Sequence, residues 1–236
     1  RIISVADKTR LDVALFERGM TESREKAKAL IMAGQVYINN NKSTKSGITV
    51  KEDDCIEIRG EKMPYVSRGG YKLAKAIDEF SLRLDGCICM DIGASTGGFT
   101  DCLLRRGAAR VFAVDSGVGQ LDPTLCVDSR VVNIEHFNAR NLTPDTFGCL
   151  CDMAVADLSF ISQTYILPNV RDILIPGGIY VGLIKPQFEC GRGALDRHGI
   201  VKSPAQHKAA ITRVLDSALL CGLLPQAVIP SPITGG

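Results

Sequence analysis

At 236 residues, 45% of them hydrophobic and 23% charged, the chain has room for two modest domains and the composition of a soluble globular protein. It has no run of about 18 apolar residues and its first twenty residues are dotted with charges, which argues against a membrane-spanning helix or a secretory leader and makes a cytoplasmic protein the expectation. The formal charge of +2 is unevenly distributed: residues 1–76 hold 15 Lys/Arg against 10 Asp/Glu and residues 77–236 hold 13 against 16, so any phosphate-binding surface is expected at the front.

The first elements are short. RLDVALFERG (10–19) places Leu11, Ala14 and Leu15 on one helical stripe and ends at Gly19. A second helix is expected with Thr21 as its cap, an apolar face of Ala27, Leu30 and Ile31, and Gly34 at its end; Arg24 and Lys28 lie one turn apart on another face. QVYIN (35–39), ITV (48–50) and CIEIR (55–59) read as short strands, with turn residues in NNNK between the first two. The pattern RLD…L…RG…SRE.A..LI.AG.V.(I)N resembles the αL RNA-binding fold shared by ribosomal small-subunit protein four and pseudouridine synthases. That resemblance implies docking onto structured RNA, with Arg10, Arg24 and Lys28 as phosphate contacts.

The proline in EKMPYV marks a linker over 61–66. Beyond it the pattern changes to strands alternating with helices: apolar runs at 87–95, 111–117, 131–135, 153–160 and 178–186, with helical stretches at 97–106, 163–174 and 204–221. The fold class expected is therefore α/β, a doubly wound and mainly parallel Rossmann-like sheet over 67–236, preceded by a small α+β domain over 1–60. Nine cysteines without a CxxC pair give no metal spacing; Cys87/Cys89 and Cys149/Cys151 alternate within apolar runs and read as buried, reduced thiols. No metal is expected.

DIGASTGGFTD (91–101) sits where the first strand of this sheet turns into a helix. Gly93, Gly97 and Gly98 would let the backbone approach a ligand, while Ser95 stands where a nicotinamide-type G-x-G-x-x-G has its second glycine, which favours S-adenosylmethionine over NAD. Asp91 is placed for the methionine ammonium group and Asp115, 22 residues beyond Gly93, for ribose hydroxyls; Asn138 or His136 would meet adenine. Asp157 and Lys185 are expected to close the fourth and fifth strands, with Lys72 on the preceding helix. A lysine at the tip of an apolar strand, beside a second ammonium, would have its pKa drawn from about 10.4 toward about 7–8, where it can take a proton from a sugar hydroxyl. Lys185 is then the base, oriented by Asp157, and Lys72 settles negative charge.

YVSRGGYKL, DIGASTGGFTD, AVDSGVGQL, ADLSFIS, LIKPQFE and SPITGG together resemble the TlyA (hemolysin A) family within the FtsJ-like ribose 2′-O-methyltransferases. The resemblance implies a Lys–Asp–Lys–Glu tetrad acting on ribosomal RNA or ribosomal subunits, with S-adenosylhomocysteine as product and Arg68 among the RNA contacts. Lys72, Asp157 and Lys185 match the first three members. The Glu, expected a few residues after SPITGG, has no counterpart before Gly236, and Glu189 is not assigned to that role. Two rival readings are a membrane-active hemolysin and an inert RNA-binding module that keeps a cofactor pocket.

Overall fold

The structure, a computed structural model, describes residues 8–59 and 64–233. Residues 61–63 of the expected linker and the last three residues of SPITGG lie outside the described residues. The chain divides into two compact units, Arg1–Pro64 and Tyr65–Gly236.

In the first unit α1 (Leu11–Glu17) and α2 (Arg24–Met32) present the expected stripes: Leu11, Ala14, Leu15, Ala27 and Ile31 are buried, with Leu30 packed against them. Each of the larger aliphatic side chains in that stripe contributes roughly 1.5–3 kcal/mol on burial. Both helices end in paired closing bonds, Gly19 N–H to Phe16 O and Met20 N–H to Leu15 O after α1, Gly34 N–H to Ile31 O and Gln35 N–H to Leu30 O after α2. Thr21 does not cap α2. Ser23 does, its Oγ accepting from Lys26 N at 3.2 Å, while the Thr21 hydroxyl donates to the Ser23 carbonyl.

A two-residue pair joins β1 (Thr9–Arg10) to β4 (Thr49–Val50). A three-stranded antiparallel sheet runs in the order β3 (Asn41–Ser43), β2 (Val36–Ile38), β5 (Ile56–Ile58). Strand β3 is not legible in the hydrophobic pattern because two of its three residues are exposed; the hairpin is set by Asn39 and Asn40, which take φ of +48° and +68° as a two-residue turn requires.

Asp12 is fully buried beneath Arg10 and Arg24. Arg10 grips it with Nε and Nη2 at 3.0 and 3.2 Å and Arg24 adds Nη2 at 3.3 Å. The Arg10 hydrogen bond is the main reason the Asp12 carboxyl is held down at about 2. Two half-exposed arginine chains, not a deep core, cover it.

The second unit is built on five parallel strands, β6 (Ile88–Ile92), β7 (Arg110–Val114), β8 (Val131–Ile134), β9 (Cys151–Ala156) and β10 (Leu174–Gly182), in the order β10-β9-β6-β7-β8. Helices α3 (Gly69–Glu79), α4 (Gly98–Arg105) and α5 (Pro123–Cys126) follow or precede one side, and α6 (Pro144–Phe147), α7 (Leu167–Ile173), α8 (Pro186–Glu189) and α9 (Pro204–Leu220) complete the unit. Alternate residues feed two cores. Cys89, Val111, Ala113, Met153 and Val155 pack with Leu73, Ile77, Phe99 and Leu103, while Met90, Ile92, Phe112, Val114 and Ala154 pack with Leu142, Ile166, Val170 and Ile173. Burial on both faces is why the strands read as unbroken apolar runs. It also pushes the Cys89 and Cys151 thiols up to about 12, in keeping with inert reduced cysteines, whereas Cys87 and Cys149 stand just ahead of their strands and are only half-buried.

The first four strands are shorter than the apolar runs and the fifth is displaced from its run. Asp91 lies inside β6, one residue from its end, and Asp115 and Asp157 stand just past β7 and β9. The fifth strand runs over 174–182 rather than 178–186, so Lys185 lies three residues beyond it, where it precedes α8. The expected helix over 163–174 opens as a single 3₁₀ turn at Gln163–Tyr165 before α7. Among the described residues no helix is long and apolar enough to cross a membrane, and no group of three or more His, Cys, Asp or Glu could hold a metal ion.

Asp12 binds fewer protons folded than unfolded between about pH 4 and about pH 2, so its contribution to stability is present above that window and lost as pH falls through it. Asp12→Asn should remove this dependence. Amide hydrogen exchange in α1 and α2, compared at pH 5 and pH 2.5, is the measurement.

Candidate active site at the carboxyl edge of the sheet

Chain order reverses direction in the sheet between β6 and β9, and it is outside the carboxyl ends of such neighbouring strands that ligands are held in open parallel sheets. Asp91 lies at the carboxyl end of β6 and Gly93 and Ser95 follow it, Asp115 follows β7, Asn138 follows β8, Asp157 follows β9 and Lys185 follows β10, so the topology gathers the expected cofactor and catalytic residues along this one edge.

Three of them meet directly. Lys72 Nζ lies 2.7 Å from Asp157 Oδ2 and Lys185 Nζ lies 2.7 Å from Asp157 Oδ1, all three side chains being about four-fifths buried. Lys185 also donates to Ser159 Oγ at 2.9 Å. Burial pushes the Asp157 carboxyl up, but the hydrogen bonds and charges of Lys185 and Lys72 together outweigh it and hold the group below the ordinary carboxylate value. The cluster therefore carries one permanent negative charge shared by two ammonium groups.

Asp91 behaves differently. It is fully buried, and its Oδ2 accepts from Thr100 N and Thr100 Oγ1 at 2.9 and 2.7 Å, while Oδ1 has no hydrogen-bond partner among the described residues. Desolvation, with smaller pushes from Asp157 and Asp115, raises it to about 7 against the opposing Thr100 bonds. A buried carboxylate oxygen left without a donor is costly, and a cationic ligand would relieve it.

Around it the loop is shaped by its own backbone. Gly97 caps α4 at φ +92°, where a side chain would be strained and would also strike Leu125 and Leu121. Gly93 turns at φ +83° beside the Asp157 carbonyl. Asp115 organises the loops: Oδ2 accepts from Ser95 N at 2.8 Å and Oδ1 from Gly117 N at 2.7 Å. Asn138 is exposed and caps the next 3₁₀ turn through Arg140 N, and His136 is exposed at φ +54°.

Gly98 carries a packing constraint besides the ligand role its motif implied. A Cβ there would lie 2.2 Å from Ser67 Oγ, 3.0 Å from Gly70 N and 3.2 Å from Gly69 Cα, so it serves the close approach of α3 and α4. Glu189 is likewise structural: buried, it accepts from Ser162 Oγ and Gln163 N, apart from the lysine cluster. Of the basic residues expected on RNA, Arg10 and Arg24 are tied to Asp12, Lys28 is half-buried, and Arg68 is exposed at the start of α3.

Sequence reasoning missed Phe160. It holds φ +64°, rare for a bulky side chain, and projects 92% exposed with its ring 5.3 Å from that of Phe188. Lys185 Nζ lies 5.8 Å from the Phe188 centroid, so the pair borders the lysine cluster. The signal was available in ADLSF, where an aromatic follows the polar end of the strand.

Residues 65–236 match the family of FtsJ-like methyltransferases. The chain belongs to that family. Residues 9–56 match the S4 domain. Within this setting the chain is 46% identical to the Bacillus subtilis (strain 168) protein named "Putative rRNA methyltransferase YqxC", over 97% of this chain and 82% of that one. It is 40% identical to the 16S/23S rRNA (cytidine-2′-O)-methyltransferase TlyA of Mycobacterium tuberculosis, over 98% and 87%. A solved structure of a "Putative hemolysin" from Streptococcus thermophilus, 42% identical, covers 98% of this chain and 85% of its own with a TM-score of 0.76, so this chain shares its fold.

If Gly98 serves helix packing, Gly98→Ala should lower stability by about 1–3 kcal/mol through overpacking. Urea denaturation of the two proteins measures this, and an unchanged midpoint would return Gly98 to a purely ligand-facing role.

Proposed function

We propose that this family member transfers a methyl group from S-adenosylmethionine to a ribose 2′-hydroxyl of ribosomal RNA. In this reading Lys185 is the general base, Asp157 orients it and Lys72 faces developing negative charge. The observation that carries the reading is the single carboxylate of Asp157 holding two lysines at 2.7 Å each, beside a glycine-rich loop at the switch point of a parallel sheet. The orphaned Oδ1 of Asp91 fits the ammonium group of the cofactor, and Gly93, Ser95, Gly97 and Asp115 are the residues that would hold the rest of it, with Asn138 near the base. When bound, the cofactor supplies an electrophilic methyl group on a sulfonium and leaves as S-adenosylhomocysteine.

The chain's own part is positional and acid–base. With both lysines protonated, the cluster retains a net positive charge that one carboxylate cannot cancel; release of one proton leaves a neutral ion pair and a free amine. That amine, on Lys185, accepts the ribose hydroxyl proton as the oxygen attacks. Lys72 stays charged beside Asp157 and faces the alkoxide character that builds on the oxygen. The names of the relatives and the S4 match support ribosomal RNA as the acceptor and make ribosomal subunits the natural partner, with Arg10, Arg24 and Lys28 of the first unit and Arg68 of the second as phosphate contacts.

A relative from Brachyspira hyodysenteriae, 42% identical over 96% of this chain and 94% of its own, is named Hemolysin A, and that name favours a second reading, membrane lysis. Dye leakage from liposomes exposed to the purified protein tests it directly.

Incubation with ribosomal subunits and methyl-labelled S-adenosylmethionine should put label into alkali-resistant dinucleotides. Lys185→Ala should lower that transfer by at least about a thousandfold, within the range a positioned base and its hydrogen bonds supply, while cofactor affinity by calorimetry changes less than about threefold. Equal loss of both would remove Lys185 from the role of base.

Asp91 offers a pH test. Its folded value, about 7, lies above the unfolded one, so the empty protein loses stability as pH rises from about 4 through about 7, and a bound cation recovers it. The melting-temperature rise given by S-adenosylmethionine should therefore be larger at pH 8 than at pH 6, and Asp91→Asn should abolish the difference.

A further inference from the structure

Concavities open on the second unit. A larger one, about 720 Å³, runs along α9 from Thr164 to Leu220 and has none of the site residues in its walls. The smaller, about 330 Å³, is lined in part by Phe160 and Phe188, and Lys185 Nζ stands 5.8 Å from the Phe188 ring. Its walls carry Phe160, Phe188, Tyr165, Arg140 and Arg213.

The chemistry of these walls is selective. Arg140 lies over the Tyr165 ring at 4.6 Å, both are exposed, and Arg140 forms no ion pair with a carboxylate among the described residues. Arg213 donates to the Glu189 carbonyl, which leaves its charge uncancelled. The one carboxylate in the groove, Glu189, has both oxygens engaged by Ser162 and Gln163. The groove thus offers exposed aromatic faces, a guanidinium stacked on one of them, and no free anion. Bases stack on such faces and a phosphate is drawn to such a guanidinium, and a volume of about 300 Å³ is the lower end of a small-molecule site.

We propose that this groove is a subsite for the nucleotide adjoining the methylated one in the same RNA strand, its base against Phe160 and Tyr165 and its phosphate on Arg140. The proposal rests on the reading of the lysine cluster as an RNA-methylating centre. It adds a binding role for Arg140 and Tyr165, which stand outside both the cofactor loop and the lysine cluster. An unpaired or splayed segment of RNA is the ligand this shape takes, since a stacked duplex does not present a single base to a groove.

The test compares Arg140→Gln and Tyr165→Leu with the wild type, and with Arg171→Gln, an exposed arginine on α7 paired to Asp172. Methyl transfer to ribosomal subunits is followed as separate kcat and KM values at several salt concentrations. Arg140→Gln should raise KM about tenfold, leave kcat within about twofold and lower the slope of log KM against log salt by about one. Tyr165→Leu should raise KM without altering that slope, and Arg171→Gln should change neither. Cofactor affinity should be the same in all four proteins. A KM and salt slope in Arg140→Gln equal to those of the wild type would overturn the subsite. Binding of a fluorescent single-stranded oligoribonucleotide, read by anisotropy, keeps the two readings separable. A wild type that transfers no methyl to RNA defeats the methylation reading, whereas equal oligonucleotide affinity in wild type and Arg140→Gln defeats the subsite whatever the wild type transfers.

Discussion

A parallel sheet covered on both faces leaves charge almost nowhere to go except the edge where its strands end, and the second unit is organised by that constraint. Strands β6, β7 and β9 are apolar on both sides, so the polar residues that follow them are forced into one line of loops. There Asp157 can hold an ammonium group on each oxygen because two different segments, α3 and the turn before α8, arrive at the same place. Neither lysine alone would make its position informative. Their common partner does.

Asp157 and Asp91 at this edge show how burial and partners decide a carboxylate's fate. Asp157 is desolvated but answered by two cations, and it stays ionised. Asp91 is desolvated more completely and answered only by Thr100, and the negative charge of Asp157 nearby makes its ionisation harder still. The pair is coupled in sign: whatever strengthens the charge on Asp157 raises the cost of charge on Asp91 until a cation reaches Oδ1. In the proposed function that division has a use, since the first carboxylate would be completed by a cationic ligand and the second is already completed by the protein.

Much of this was legible in the sequence because it follows from local rules. The helical stripes of the first unit, the five apolar runs of the second and the residues at their ends are direct consequences of periodicity and burial. What was not legible depended on tertiary contact. Strand β3 has exposed residues and exists because Asn39 and Asn40 turn the chain back onto β2. Gly98 reads as part of a ligand loop, yet the space it leaves is filled by Ser67 and Gly70 from a distant stretch of chain. The ends of strands were placed too late because apolar character continues past the last ladder bond, as in the run that reaches Lys185. Phe160 was read as strand when its φ of +64° instead turns it outward. A polar residue's neighbours in sequence reveal its type of environment, whereas its partner, as with Lys72 and Asp157 85 residues apart, comes only from the fold.

The first unit repeats the lesson in its charges. The surplus of lysine and arginine at the front of the chain pointed to phosphate, but two of the named arginines are engaged with buried Asp12. That engagement is compatible with the phosphate contacts proposed for them. A guanidinium has five N–H donors, of which Arg10 uses two on Asp12 and Arg24 one. The remaining donors stay exposed on side chains whose freedom the carboxylate has already reduced, so less entropy is lost when a phosphate arrives. A buried acid beneath two arginines thus supports a rigid positive surface better than two free chains would. It subtracts one unit of charge from that surface in return.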